Sequence, residues 1–207
     1  MIYLDIVPYG VDVKLKHIGP YWGYNIVFGI NNRYYVRGEG WRYAVYEEMD
    51  CLSIANKPFE EAKKDIELAI ELAKQASIEA FGDDYVAMVI ATKAGYHIYL
   101  DLWTHSYIDS LLLSAKYRDC LPCACRDYRH VYYGIQNFIA RKWERYILRV
   151  SSNKYIPDYM FIVYRRKSRD SKHEEFLKKV ESLYSSWIAT LLAIAKILGI
   201  STKHSQI

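Results

Sequence analysis

Two carboxylates lie at the end of a predicted strand, Trp41–Asp50. Side chains in a strand alternate between its two faces, so Glu48 and Asp50 share one face at the exit of the strand. Neighbouring carboxylates repel each other unless a cation lies between them, and Mg²⁺ or Mn²⁺ accepts oxygen ligands of this kind. The pair therefore predicts a metal site. The alternative is a pair of acids that only caps the loop that follows.

A histidine lies on a second predicted strand, Tyr96–Leu102. Alternation places His97, Tyr99 and Asp101 on the face opposite the isoleucine and leucines of this strand, which would pack against a helix while His97 points away from it. Next to a metal held by carboxylates, His97 would donate to the phosphates of a nucleotide. The alternative is a structural histidine that bonds to neighbouring backbone.

Three cysteines are spaced C-x-x-C-x-C at Cys120, Cys123 and Cys125, with His130 five residues further on and Cys51 distant in the sequence. Sulfur ligands suit Zn²⁺, and three thiolates with one more Cys or His complete a tetrahedral site. The spacing therefore indicates Zn²⁺ as one candidate cofactor. An iron–sulfur cluster and ordinary thiols are the alternatives.

Basic residues are interleaved with aromatic residues between positions 118 and 146. Lys and Arg neutralise phosphates while Tyr and Trp rings stack on unpaired bases, which is how single strands are bound without sequence preference. The alternative is that tyrosine, with 21 of 207 residues, is frequent throughout and covers the edge of the core. The candidates for nucleic-acid contact are Arg118, Arg126, Arg129, Arg141, Lys142 and Arg145.

The elements that must position these residues alternate in type along the chain. Short strand-like runs separated by turn residues fill the first fifty positions and predict an antiparallel meander. Helical spacing of apolar residues predicts a helix over Pro58–Phe81, capped by Asn56 and ended by Gly82. The other predicted elements are a hairpin over Tyr85–Ala91 and Tyr96–Leu102, a helix over about Ser106–Tyr117 and a strand over Tyr159–Tyr164.

The clearest helix pattern lies near the C-terminus. Ser171 and Glu174 have the spacing of a capping box, and an apolar stripe follows them. Over Trp187–Ile200 the apolar residues surround the helix more completely than one contact face requires, which predicts packing on the core or on a protein partner. The expected organisation is an α+β core over residues 1–170, with a mixed or antiparallel sheet packed against helices, and a long C-terminal helix over residues 171–199.

The composition is that of an ordinary globular protein. About half of the 207 residues are apolar and a quarter are charged, which excludes a disordered, collagen-like or disulfide-dense chain. The formal net charge of +4 permits an anionic partner. No secretory signal is visible, and Lys196 interrupts an apolar run that is too short to span a bilayer. We therefore expect a cytoplasmic protein without a membrane partner. Abundant tyrosine with little Asn and Gln is typical of a heat-adapted, thermophilic source.

The paired acids, the long helix and the histidine strand together resemble the archaeo-eukaryotic primase superfamily, over roughly residues 41–130. The first two motifs of that superfamily are D-x-D and then a small residue, one further residue and His. Here the motifs read Glu48-Met-Asp50 and Gly95-Tyr-His97, with Glu in place of the first Asp and Gly in place of Ser. The basic and acidic residues downstream of His97 are similar to those of small archaeal and plasmid-borne relatives.

The resemblance implies a primase-polymerase-like fold and a set of roles for the residues. Glu48 and Asp50 would bind Mg²⁺ or Mn²⁺, and His97 would contact the triphosphate of the incoming nucleotide. A third acid would complete the catalytic site, with Asp101, Asp127 and Asp158 as candidates. The implied partners are a nucleoside triphosphate and a single strand or primer-template. The implied reaction is two-metal nucleotidyl transfer by a nucleotidyltransferase in DNA replication.

Three other functions are consistent with the sequence. The first is a non-catalytic relative that binds nucleic acid. The second is a metal-dependent nuclease using Glu47, Glu48, Asp50 and Asp101, because a two-metal site also cleaves phosphodiesters. The third is an interaction subunit that uses the C-terminal helix. The chain contains no G-x-x-x-x-G-K-[ST], G-x-G-x-x-G or G-x-S-x-G motif, which argues against P-loop, dinucleotide-binding and hydrolase functions.

Overall fold

Strands and helices alternate along the computed structural model, which describes residues 1–9, 17–18, 21–22, 27–52, 54, 57–92, 95–126, 128–144, 146–149 and 161–197. The strands are β1 (Ile2–Tyr9), β2 (His17–Ile18), β3 (Tyr21–Trp22), β4 (Val27–Val36), β5 (Gly40–Met49), β6 (Val86–Ala91), β7 (Tyr96–Thr104), β8 (Ile147–Arg149) and β9 (Phe161–Arg165). The helices are α1 (Phe59–Phe81), α2 (Tyr107–Cys120), α3 (Tyr128–Arg141) and α4 (Ser171–Ile197), and a short 3₁₀ turn spans Cys123–Cys125. Of the residues given roles above, Asn56, Asp127, Arg145 and Asp158 lie outside the described residues, as do positions 198–199.

One curled antiparallel sheet forms the centre of the described fold, with the strand order β1-β4-β5-β7-β6-β9. The short strand β8 pairs with β4 at Gly29–Asn31, where β5 has separated from β4. All pairings in this sheet are antiparallel. The expected α+β class with an antiparallel sheet is confirmed. The predicted hairpin is also present as β6 and β7, joined across the segment from Thr92 to Gly95.

One face of the sheet packs against α1 and α2. The helix α1 contributes a row of buried alanines, including Ala69, Ala73 and Ala76, whose small side chains let the helix approach the strands closely. Ile98 and Leu100 of β7 pack into this cluster, as the alternation of β7 predicts. Gly82 ends α1 in the left-handed conformation, at φ 81°.

The opposite face packs against the first half of α4. Phe176, Leu177, Val180 and Tyr184 are buried there in one cluster with residues of β4 to β7. This helix covers the sheet face that carries His97, to which the sequence analysis had assigned no helix. The start of α4 also differs in detail, because the Asp170 side chain, one residue before the expected cap, accepts a hydrogen bond from His173 N at 2.7 Å.

Within the described ranges, no helix is both long and apolar enough to cross a membrane.

Candidate functional site

Glu48 and His97 are directly opposed across the antiparallel pair β5–β7. The Nε2 atom of His97 lies 3.5 Å from Oε1 of Glu48, and the two side chains are 8% and 21% exposed. The Nδ1 atom of His97 lies 2.9 Å from the Tyr184 hydroxyl of α4. When that hydroxyl donates to Nδ1, the ring proton is on Nε2 and is directed at Glu48. The predicted proximity of this acid and this histidine is therefore present.

Asp50 follows β5 directly and is exposed, with its main-chain N donating to Cys125 O at 3.3 Å. The start of β7 approaches this residue closely, because a Cβ on Gly95 would lie 3.0 Å from Asp50 Cα and would overlap the Met49 carbonyl oxygen. Only glycine fits at position 95 without movement of the backbone.

Asp101 shares a strand face with His97 but is engaged elsewhere. Asp101 lies four positions after His97, which is about 13 Å along β7. The Asp101 carboxylate accepts hydrogen bonds from the Ser168 hydroxyl and from Arg169 N, at 2.9 Å for the latter. It therefore fixes the loop that leads into α4. The structure brings Glu48 and His97 together, but it does not add Asp101 to them.

The donors at the β5 exit can be tested for fit to a divalent cation. Among the residues that the structure describes, no group of three or more His, Cys, Asp or Glu is arranged to hold a metal ion. Glu48 and Asp50 offer two carboxylates, and Mg²⁺ or Mn²⁺ commonly takes its remaining ligands from water and substrate phosphate. The donor chemistry therefore fits an ion that binds together with a nucleotide.

A buried cluster of ionisable residues lies on the other face of β5, and the sequence analysis missed its importance. Glu47 is 1% exposed. Its carboxylate accepts a hydrogen bond from the Tyr146 hydroxyl and lies 3.6 Å from the Arg118 guanidinium and 3.9 Å from His130 Nδ1. Burial raises the pKa of Glu47 to about 8. Strand alternation was the available signal, because Glu47 must point to the apolar side of β5.

Arg118 was expected to contact nucleic acid, and the structure corrects this expectation. Its side chain is 5% exposed and faces Glu47 in the core. A guanidinium buried to this extent is out of reach of the phosphates of a bound nucleic acid. Arg118 is therefore part of the packing between α2 and β5.

The cysteines do not form the predicted three-sulfur site. Cys125 is joined to Cys51 in a disulfide, so its sulfur is not available as a thiolate. Cys120 is half-buried and Cys123 is exposed, and both are reduced. Burial raises the pKa of the Cys120 thiol. His130, one of the two candidates for a fourth ligand, has its Nε2 atom 2.9 Å from the Ile147 carbonyl oxygen instead.

The remaining basic candidates that the structure describes, Arg126, Arg129, Arg141 and Lys142, lie on or beside α3, which buries only Val131 and Gly134 fully. Arg126 donates to the Leu121 carbonyl oxygen and to the Tyr128 hydroxyl. Arg141 stacks on Trp143, with 4.9 Å from its guanidinium carbon to the ring centroid. We define the α3 surface by six exposed residues: Arg129, Tyr132, Tyr133, Arg141, Lys142 and Trp143.

Comparison of the chain with protein-family models, with curated proteins and with solved structures finds no match.

Proposed function

We propose that this protein is primase-polymerase-like and binds a nucleoside triphosphate with Mg²⁺ or Mn²⁺ at the exit of β5. A single-stranded nucleic acid binds at the α3 surface. The observation that carries the proposal is the opposition of Glu48 and His97 across β5–β7, with Asp50 two residues beyond Glu48. A carboxylate pair beside a histidine is a suitable arrangement for a cation and the phosphates that accompany it.

Each residue of this site has a distinct task in the proposal. Glu48 and Asp50 hold the cation, which neutralises phosphate charge when it is bound. Tyr184 fixes the His97 ring through Nδ1, so that the Nε2 proton is presented at the β5 exit and donates to a phosphate oxygen. Gly95 keeps β7 close enough to β5 for His97 and Asp50 to act on the same ligand.

The α3 surface supplies the chemistry that a single strand requires. Arg129, Tyr132 and Tyr133 lie on one side of α3, because residues three and four positions apart are neighbours on a helix. Tyr132 and Tyr133 are both exposed, with their ring centroids 5.8 Å apart. Exposed rings next to Arg and Lys stack on bases while the cations neutralise phosphates. These features support non-sequence-specific binding of unpaired bases.

The nucleotide site is tested by replacing Asp50 with Ala. We expect the affinity for Mn²⁺ plus a non-hydrolysable nucleoside triphosphate to fall by about tenfold or more, because one of two carboxylate ligands is lost. Calorimetric titration measures this affinity. Glu67→Ala, which removes an exposed carboxylate from α1, is the matched control and should bind like the wild type. Equal affinity in the Asp50→Ala variant would contradict the proposed site.

The reaction carried out by the site is measured on the same preparations. If the wild type incorporates nucleotides and Asp50→Ala does not, the protein is a polymerase, because two-metal transfer depends on the ligands of both ions. Cleavage of the strand that is lost in the same variant would identify a nuclease. Binding of nucleotide and single strand without either reaction would identify a non-catalytic relative.

The nucleic-acid surface is tested through the salt dependence of single-strand binding. Each of Arg129→Ala, Arg141→Ala and Lys142→Ala should reduce the slope of log affinity against log salt by about 0.7, because one phosphate contact is lost. Lys63→Ala, on the exposed side of α1, is the control and should leave the slope unchanged. An identical slope in all four variants would show that the strand does not bind at the α3 surface.

A further inference from the structure

The exit of β5 is joined covalently to the turn between α2 and α3. Cys51, which follows Asp50, forms a disulfide with Cys125, 74 residues away in the sequence. The same two segments are also hydrogen-bonded, because Asp50 N donates to Cys125 O and Met49 pairs with Arg126 as an antiparallel bridge. Covalent and hydrogen bonds therefore fix the β5 exit to the Cys123–Cys125 turn.

The backbone on both sides of Asp50 is held by close contacts. The start of β7 lies against this backbone on one side. A Cβ added to Gly95 would be only 3.0 Å from Asp50 Cα. Two residues after Asp50, Leu52 has a φ of 56°. A residue with a side chain keeps this left-handed conformation only where its surroundings hold it. Asp50 thus lies between the start of β7 and the disulfide-bonded Cys51.

The two sulfurs of this bond differ in exposure. Cys125 is 4% exposed, whereas Cys51 is half-buried and lies nearer to solvent. We therefore expect an external thiolate to attack at Cys51, the more exposed of the two residues. The exposed thiol of Cys123, two residues before Cys125, is not part of the bond and provides a matched control.

We propose that the Cys51–Cys125 disulfide is a reversible redox clamp on the β5 exit. The reductant is a dithiol. One of its thiolates attacks the Cys51 sulfur and forms a mixed disulfide, and Cys125 leaves as a thiolate that takes up a proton. The second thiolate then attacks the reductant's own sulfur in the mixed disulfide, which closes the reductant's disulfide and releases Cys51 as a thiol. Two electrons and two protons pass from the dithiol to the two cysteines.

The clamp regulates the nucleotide site, and in this respect it rests on the proposed function. When the disulfide is reduced, the covalent link between the segment that carries Asp50 and the Cys123–Cys125 turn is lost, and the hydrogen bonds between them open more readily. Asp50 then loses its fixed position relative to Glu48, and a cation held by both carboxylates binds more weakly because the site must be ordered on binding. The oxidised protein is the high-affinity form.

Hydrogen exchange measured by mass spectrometry tests the clamp without reference to any ligand. Treatment of the wild type with dithiothreitol should speed the exchange of the Asp50 amide, and reoxidation should restore the slow rate. Cys51→Ser should exchange fast with or without reductant, whereas Cys123→Ser should respond like the wild type. Circular dichroism establishes that each form is folded. If Cys51→Ser does not fold, the reduced and reoxidised wild type decide the question alone. Unchanged exchange after reduction would overturn the clamp.

Titration with Mn²⁺ and a non-hydrolysable nucleoside triphosphate tests the regulation. Reduction of the wild type should lower the affinity by about tenfold or more, and reoxidation should recover it. Equal affinity in both redox states, together with a change in exchange, would overturn the regulatory role. If neither state binds the nucleotide, the proposed function fails, while the exchange data still decide whether the clamp exists.

Discussion

Neighbouring residues of one strand have opposite environments at the centre of this protein. Glu48 faces His97 at the candidate site, while Glu47 points into the core towards Arg118 and Tyr146. Burial disfavours the charged carboxylate and raises the pKa of Glu47, although Tyr146 and Arg118 act in the other direction. Glu47 therefore takes up a proton when the protein folds. Glu47 is not part of the candidate site.

The first prediction at this scale concerns pH. The pKa of Glu47 is about 8 in the folded protein against an ordinary value of 4.5. Between these two values the folded state holds a proton that the unfolded chain has lost. Glu47 therefore makes its full contribution to the free energy of unfolding below pH 4.5. This contribution falls as the pH rises towards 8, by at most about 1.4 kcal/mol per pH unit.

Urea unfolding of the wild type and of Glu47→Gln across this pH window measures the effect. The neutral amide does not titrate, so the stability difference between the two proteins should change with pH in the direction just given. Glu67→Gln, at an exposed position of α1, should run parallel to the wild type. A wild type and a Glu47→Gln variant that run parallel would disprove the assignment of this proton to Glu47.

At the scale of elements, α4 determines the environment of His97. This helix covers the sheet face that carries His97 and Tyr99, and the hydroxyl of Tyr184 lies 2.9 Å from His97 Nδ1. Burial raises the pKa of Tyr184 well above 10, so the hydroxyl stays protonated. The helix therefore contributes both apolar packing and the group that orients the histidine ring.

The second prediction separates these two contributions. Tyr184→Phe keeps the ring but removes the hydroxyl, and a buried histidine nitrogen loses its partner. We expect the free energy of unfolding to fall by about 1–2 kcal/mol and nucleotide affinity to fall as well, because the His97 ring is no longer oriented. Urea unfolding and calorimetric titration measure the two effects.

A buried tyrosine on another helix provides the matched control. The hydroxyl of Tyr117 donates to the Ala73 carbonyl oxygen at 3.0 Å, on the opposite side of the sheet. Tyr117→Phe should lower stability by a similar amount without changing nucleotide affinity. If both variants leave nucleotide affinity unchanged, Tyr184 only packs and does not orient His97.

At the scale of the whole molecule, two long-range connections hold the described parts together. The disulfide joins residues that are 74 positions apart. At the N-terminus, Ile2 N donates to Glu175 of α4 at 3.1 Å, and Lys179 donates to the Ile2 carbonyl oxygen. The strand β1 at the edge of the sheet is therefore tied to a helix 173 residues further along the chain.

The third prediction concerns the stability that the disulfide provides. In the chain-entropy model, a cross-link of this separation stabilises the folded state by about 4 kcal/mol, because it restricts the unfolded chain. Urea unfolding with and without dithiothreitol should show a loss of this order. Cys51→Ser should equal the reduced wild type, and Cys123→Ser should equal the oxidised one. If dithiothreitol lowers the stability of Cys51→Ser by the same amount, the disulfide is not the cause of that loss.

Local sequence patterns determined the fold class and the orientation of individual side chains. The alternation of β7 correctly divided Ile98 and Leu100 from His97 and Tyr99, and turn residues marked the hairpin β6–β7. These predictions succeed because the period of a strand depends only on backbone geometry. The proximity of Glu48 and His97 was also expected from the sequence, because each lies on the strand face opposite an apolar set.

Only the tertiary structure decided what each of these faces contacts. Arginine is usually a surface residue, but Arg118 is buried because Glu47, which is distant in the sequence, lies next to it in the fold. Asp101 bonds Ser168 and Arg169. Cys125 pairs with Cys51 rather than with the cysteines beside it. Each outcome depends on residues far apart in the sequence, whose approach is set by the packing of helices on the sheet and leaves no periodic signal in the chain.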